Sequence, residues 1–128
     1  MTIAIGLITI NACDGFPVSA VLSRCGFEVR TAASANAYVE NSALSGALCV
    51  VIDLPGDCGL KALETLRARN LRAPAILVVD ADCDLPPARL AQVSALDVLR
   101  RPVNTSELLG WIECVCTATM VLERRRAA

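Results

Sequence analysis

No histidine occurs anywhere in this 128-residue sequence. Imidazole general bases, zinc–histidine sites and phosphohistidine carriers are therefore excluded, and any catalysis would rest on carboxylates, thiols or arginines. Charge is also scarce: charged residues make up 20% of the chain and the formal net charge is −1 at pH 7. That balance argues against broad electrostatic capture of nucleic acid or of an acidic membrane surface. Aromatic residues are rarer still, at 3%, so Trp111 stands alone as the single tryptophan. No glycine-rich phosphate loop of the G-x-G-x-x-G kind is present. Met1 to Ile10 is apolar but lacks a basic leader, and no small-residue cleavage pattern follows up to Pro17, so a signal peptide is not expected. The longest candidate for a membrane span, Leu108 to Leu122, is too short and contains Glu113. These absences point to a cytoplasmic protein that neither spans membranes nor binds nucleic acid directly.

What the chain does have is apolar residues, 55% by count, enough for one domain over residues 1–128 that buries about two-thirds of its unfolded surface. Cysteine is frequent, with seven residues at positions 13, 25, 49, 58, 83, 114 and 116. Their number is odd and no Cys-x-x-Cys occurs. Cys114 and Cys116, two apart, diverge on a helix, and Cys49 sits in an apolar run where a thiol acts as a small hydrophobe. Reduced thiols used as core filler are the expectation, with Cys58 and Cys83, in predicted loops, the candidates for redox chemistry.

Two kinds of segment alternate along the chain. Short β-rich apolar runs fall at Ile3–Ile10, Phe27–Thr31, Leu48–Ile52, Ala75–Val79 and Leu96–Leu99. Helix-length segments fall between them, at Pro17–Cys25, Ala35–Ser45, Gly59–Asn70, Pro86–Val93 and Ser106–Arg125. Pro17 suits a first helical turn, and Ser34 suits an N-cap, as does Asn104 or Thr105. Gly26 and Gly46 suit helix ends. Continuous apolar strands such as Cys49-Val50-Val51-Ile52 are those of a parallel sheet covered on both faces. The functional rim of such a sheet lies at the carboxyl ends of its strands. That rim holds Asn11 to Asp14, Asp53, Asp80 to Asp84, and Arg100-Arg101.

A carboxylate ending a fully apolar strand is costly to bury unpaired, so Asp53 stands out. Asp53-Leu54-Pro55-Gly56 followed by Gly59-Leu60 resembles the phosphoacceptor region of response-regulator receiver domains, of the chemotaxis-regulator kind. The likeness continues in Gly26-Phe27-Glu28-Val29, in Pro74 to Val78, and in Ala95 to Pro102, whose Arg101-Pro102 takes the place of the family's Lys-Pro. It implies an α/β, flavodoxin-like (βα)5 doubly wound sheet with strand order 2-1-3-4-5 and no output domain. It also implies that a histidine kinase phosphorylates the strand-three aspartate with the help of Mg²⁺.

Carried over position by position, the family's site is incomplete. Asp53 holds the acceptor position. The acidic pair after strand one falls on Thr9 and Ile10, neither of them acidic, and Asp14 is the first carboxylate beyond. The hydroxyl position, counted 22 residues before Arg101, falls on Val79, which cannot donate a hydrogen bond. The lysine position is Arg101, cationic but planar and wider. The aromatic switch position is Val98, and the Asp53-to-Pro55 interval is shorter than usual. Magnesium wants oxygen ligands in near-octahedral array; Asp53 alone holds it poorly, and Asp14 joins Asp53 only if the loop folds back. The missing ligands and the retained cation predict an ion pair instead, Asp53 and Asp80 with Arg101 or Arg100, while Asp82 and Asp84 read as solvated.

The last helix carries an apolar stripe, Leu108, Ile112, Val115, Thr119 and Leu122, with further apolar residues at Leu109, Trp111, Cys116, Met120 and Val121. Such a helix must bury more than one face. Either it is deeply buried in a monomer or it forms a homodimer through helix four, strand five and helix five, with Leu109, Trp111, Cys116 and Met120 at the contact. Arg124-Arg125-Arg126 reads as a solvated tail. The expected function is that of a stand-alone, atypical receiver, not an enzyme. It would act through protein contacts with a histidine kinase or another regulator, its Mg²⁺-dependent phosphorylation weak or absent. Two alternatives remain: a working phosphoacceptor with unconventional metal ligands, and a small flavodoxin-like enzyme or ligand-binding protein.

Overall fold

Strands that are apolar on both faces can be satisfied only by a layer of helices on each side, and this is the arrangement in the computed structural model of the chain. The structure describes residues 3–10, 18–41 and 46–127, from 119 onward by backbone alone. Strand and helix alternate as β1 (Ala4–Thr9), α1 (Val18–Arg24), β2 (Glu28–Ala32), α2 (Ala35–Glu40), β3 (Cys49–Asp53), α3 (Cys58–Ala68), β4 (Ala75–Val79), α4 (Pro87–Val93), β5 (Asp97–Arg100) and α5 (Thr105–Ala127). All strand pairs are parallel, in the order β2-β1-β3-β4-β5. This is the flavodoxin-like topology expected from the sequence.

Because side chains alternate along a strand with period two, the sheet divides the core in two. Ile8, Val50, Ile52, Leu77 and Val79 face Tyr38, Leu60, Leu63, Leu66 and Val93 of α2, α3 and α4. Ile5, Leu7, Val51, Ile76, Val78 and Leu99 face Val18 and Leu22 of α1 and Leu108, Ile112 and Val115 of α5. Cys49, also on that second face, is wholly buried, and burial pushes its thiol up to about 12. It is core filler, as expected.

Helix ends follow from local chemistry. Ser34 caps α2, its hydroxyl accepting from the Ala37 N–H at 3.1 Å. Asn104 caps α5, its side chain accepting from the Glu107 N–H at 3.1 Å. Gly26, at φ +90°, closes α1, with its own N–H on the Ser23 carbonyl and the Phe27 N–H on the Leu22 carbonyl, the double bond pattern that a left-handed residue makes at a helix end. Some boundaries differ from expectation. The second helix, expected to reach Ser45, ends at Glu40, and residues 42–45 lie outside those described. Cys58, expected in a loop, opens α3 and is exposed there. Pro17 also lies outside the described residues.

Candidate functional site at the carboxyl rim of the sheet

The same alternation decides which side chains meet at the rim. Asp53 ends β3 in step with Cys49 and Val51, and so emerges on the α1/α5 side. Asp80, two residues past Val78, is in step with it, and so is Arg101, two past Leu99. The backbone bond from the Arg101 N–H to the Val79 carbonyl, at 2.9 Å, carries the β4–β5 ladder one residue beyond the strand. All three side chains therefore converge.

Arg101 bridges both carboxylates. Its Nη2 donates to Oδ1 of Asp53 in a very short contact, and its Nη1 donates to Oδ1 of Asp80 at 2.7 Å. The other Asp80 oxygen accepts from the Gly56 N–H at 3.2 Å. Gly56 sits at φ +56°, a conformation that suits glycine, and its carbonyl accepts from the Cys83 thiol at 3.4 Å. Arg100, on the opposite face of β5, serves different partners: its Nη1 reaches the Cys83 carbonyl at 2.7 Å and those of Asp80 and Ala81 at 3.4 Å. The Arg101–Pro102 peptide is cis. Asp53 is the most shielded member of the group, its side chain 17% exposed against 27% for Arg101 and 46% for Asp80. Partial shielding strengthens these charge-assisted bonds relative to an open surface pair.

Several sequence-based positions are altered by this geometry. Val79, counted as the hydroxyl position, is fully buried on the α3/α4 face, away from Asp53. The side chain that reaches the rim from the end of β4 is Asp80, one residue further on, and period two is the reason. Thr9 lies beside Asp53 in the β1–β3 register. Ile10 is 62% exposed and carries no oxygen in its side chain. Val98 packs, half-buried, against the α3/α4 core. Of the two arginines weighed as partners for Asp53, Arg101 makes the contact. The part played by Gly56 and by Arg100's grip on loop carbonyls was not foreseen; a glycine after Pro55 was the one available signal.

The residues described here do not fit a resident Mg²⁺. Magnesium needs several oxygens placed around one point, whereas Oδ1 of Asp53 is committed to a guanidinium, and Thr9, its β1 neighbour, and Ile10, just past the strand, are not acidic. Among the described residues no group of three His, Cys, Asp or Glu side chains gathers to hold a metal. Asn11 and Asp14 lie outside the described residues.

The interface candidates on α5 do not form one patch. Leu108, Ile112 and Val115 are the buried stripe. At 3.6 residues per turn, Trp111 falls on one flank of it and Leu109 and Cys116 on the other. All three are half-buried against the α1/α5 core, which accounts within one chain for much of the helix's apolar excess. The Met120 side chain, like those of Thr119, Val121, Leu122 and Arg124 to Arg126, lies outside the described ones.

Five parallel strands in this order, with a carboxylate at the end of the central strand, define the fold of response-regulator receiver domains. The chain is similar over 91% of its length to 98% of a response regulator receiver protein from Pseudoalteromonas atlantica, at 22% identity and TM-score 0.75. It is likewise similar, over its whole length and the whole of that chain, to a CheY-like receiver domain protein from Methanospirillum hungatei, at 20% identity and TM-score 0.71. The chemotaxis protein CheY4 of Vibrio cholerae matches 90% of the chain at 19% identity, with TM-score 0.71 and 99% of its own length covered. No protein-family model matches the chain, and no curated protein matches it by sequence. No helix among the described residues is long and apolar enough to cross a membrane.

Proposed function

We propose that this chain is a receiver-type signalling domain, not an enzyme, in which a fixed ion-pair triad stands where others of its fold carry out aspartyl phosphorylation, and which acts through protein contacts. The observation that carries this reading is the single guanidinium of Arg101 shared between Asp53 and Asp80. A phosphodonor approaching Asp53 must displace a hydrogen bond to a charged group worth about 1.5–3 kcal/mol, and among the described residues no group of three metal-ligating side chains offsets that loss. The partners in this reading are a histidine kinase or another response regulator.

The test is a titration of the full chain with Mg²⁺ and beryllofluoride, read on the backbone amides of Asp53, Leu54 and Val78. The expected result is no saturable shift. Saturable shifts that vanish in Asp53→Asn would establish a working phosphoacceptor with unconventional ligands and overturn the proposal.

Contact through the face of α4, β5 and α5 belongs to the same proposal, in the form of a homodimer. Trp111 is its anchor, since a half-exposed tryptophan beside a packed stripe is the side chain most able to fill a partner's pocket. Light scattering is expected to give a dimer mass for the native chain and a monomer mass for Trp111→Ala. A monomer in both would remove the homodimer and leave heterologous contact.

A further inference from the structure

At the end of the sheet opposite Asp53, where the chain enters β4 and β5, lies a cleft of about 440 Å³. It is lined by Arg67, Arg72, Pro74, Gln92, Val93, Ser94 and Leu96. Its volume is within the range of small-molecule sites.

Arg67 is anchored before any ligand arrives. Its Nε donates to the Val93 carbonyl at 2.7 Å, and its Nη1 donates to the carbonyls of Leu71 at 2.8 Å and Ala73 at 2.9 Å. Its Nη2 has no partner among the described residues. Neither does the exposed guanidinium of Arg72, whose charge acts on Arg67: burial first, and Arg72 second, lower the Arg67 pKa. Elsewhere in the chain, Arg30, Lys61, Arg89 and Arg101 each meet a carboxylate. Arg24, Arg69 and Arg100 meet none among the described residues either, but here two such cations share one cleft.

The ends of α3 and α4 point their carbonyls toward this cleft, which opposes an anion. Each helix end is worth about half a negative charge, so together they offset about one of the two full positive charges. Arg67 also occupies one of those carbonyls, that of Val93, and two more in the connection to β4, those of Leu71 and Ala73. The balance is positive. Pro74, Val93 and Leu96 supply an apolar wall beside it.

We infer that this cleft binds a small molecule carrying an oxyanion, carboxylate or phosphate, on a short apolar body. Nη2 of Arg67 and the fork of Arg72 hold the oxyanion, and the Ser94 hydroxyl and Gln92 amide lie on the same cleft. Rigid placement of Arg67 by the backbone lowers the ordering cost of binding.

The probes are sodium benzoate and inorganic phosphate, each titrated into the full chain at constant ionic strength maintained with sodium chloride. The amides of Gln92, Ser94 and Leu96 are followed by NMR. Saturable shifts with at least one probe are expected, weakened about tenfold or more in Arg72→Gln, since a charge-assisted bidentate contact is lost. Tighter binding of benzoate assigns a carboxylate on an apolar body; tighter binding of phosphate assigns a phosphate ester. Shifts that rise linearly for both probes, or saturable binding unchanged in Arg72→Gln, overturn the inference. Arg72 is exposed, so an unchanged melting temperature of the variant separates loss of the site from loss of the fold.

Discussion

Replacing Arg67 by alanine lowers the stability of the domain by about 3 kcal/mol, roughly a 10 °C fall in Tm for a chain of this size. Its guanidinium joins three segments: the end of α3 on which it sits, the connection to β4 through the Leu71 and Ala73 carbonyls, and the last turn of α4 through Val93. A hydrogen bond to a charged group contributes about 1.5–3 kcal/mol, and each carbonyl left without a donor costs about 1–3 kcal/mol if water cannot reach it. The three do not add in full, because the adjoining cleft admits water. Arg67→Lys recovers little, since a single ammonium on a flexible stem cannot span carbonyls on both sides of a planar fork. Thermal and urea unfolding of both variants check this. A loss below about 1 kcal/mol in Arg67→Ala, the size of one ordinary neutral hydrogen bond, would mean that the clamp is not holding these segments together.

The second large effect is expected at Gly6, in the middle of β1. Glycine inside a strand ordinarily costs about 0.5–1 kcal/mol relative to alanine, so Gly6→Ala considered locally is a stabilising change. The packing reverses the sign. A Cβ at this position would lie 2.5 Å from the Tyr38 hydroxyl oxygen and 2.6 Å from its Cε2, and Tyr38 is buried, its phenol pushed up to about 12 mainly by that burial. Overpacking of this kind costs about 1–3 kcal/mol and outweighs the local gain. Gly6→Ala is therefore expected to lower Tm, and Gly6→Val to lower it further. Tyr38→Leu, which removes the ring, is expected to relieve part of the Gly6→Ala loss in the double variant, a coupling that unfolding measurements on the four-member cycle resolve. Additive losses would place the strain elsewhere.

The sheet was legible in the sequence because its strands are unbroken apolar runs, and the position of Asp53 followed from the one polar residue ending such a run. The pairing of Asp53 with a rim arginine was also readable, from a retained cation beside missing metal ligands. What spacing alone missed was the facing of side chains. Counting residues back from Arg101 gave Val79, but a count across a helix and two loops tolerates a one-residue shift, and in a strand one residue is the difference between the two faces. The α5 residues show a related effect: apolar residues near one another in sequence fall on both flanks of the buried stripe, with Trp111 across it from Leu109 and Cys116. Arg67 left no sequence signal at all. An arginine in the last turn of a helix reads as solvated, and only the return of α4 past it supplies the carbonyl of Val93.

The ring of bonds at the rim also has a kinetic consequence. Asp53, Arg101, Asp80, Gly56, Cys83 and Arg100 form a closed chain of contacts that runs from β3 through both neighbouring loops to β5. The two loops are therefore released in order: losing the Gly56 contacts to Asp80 and Cys83 frees the loop after β3, while Arg100 still holds the loop after β4 to the strand. Asp53 stays covered by Arg101 through that first step, until their own pair breaks.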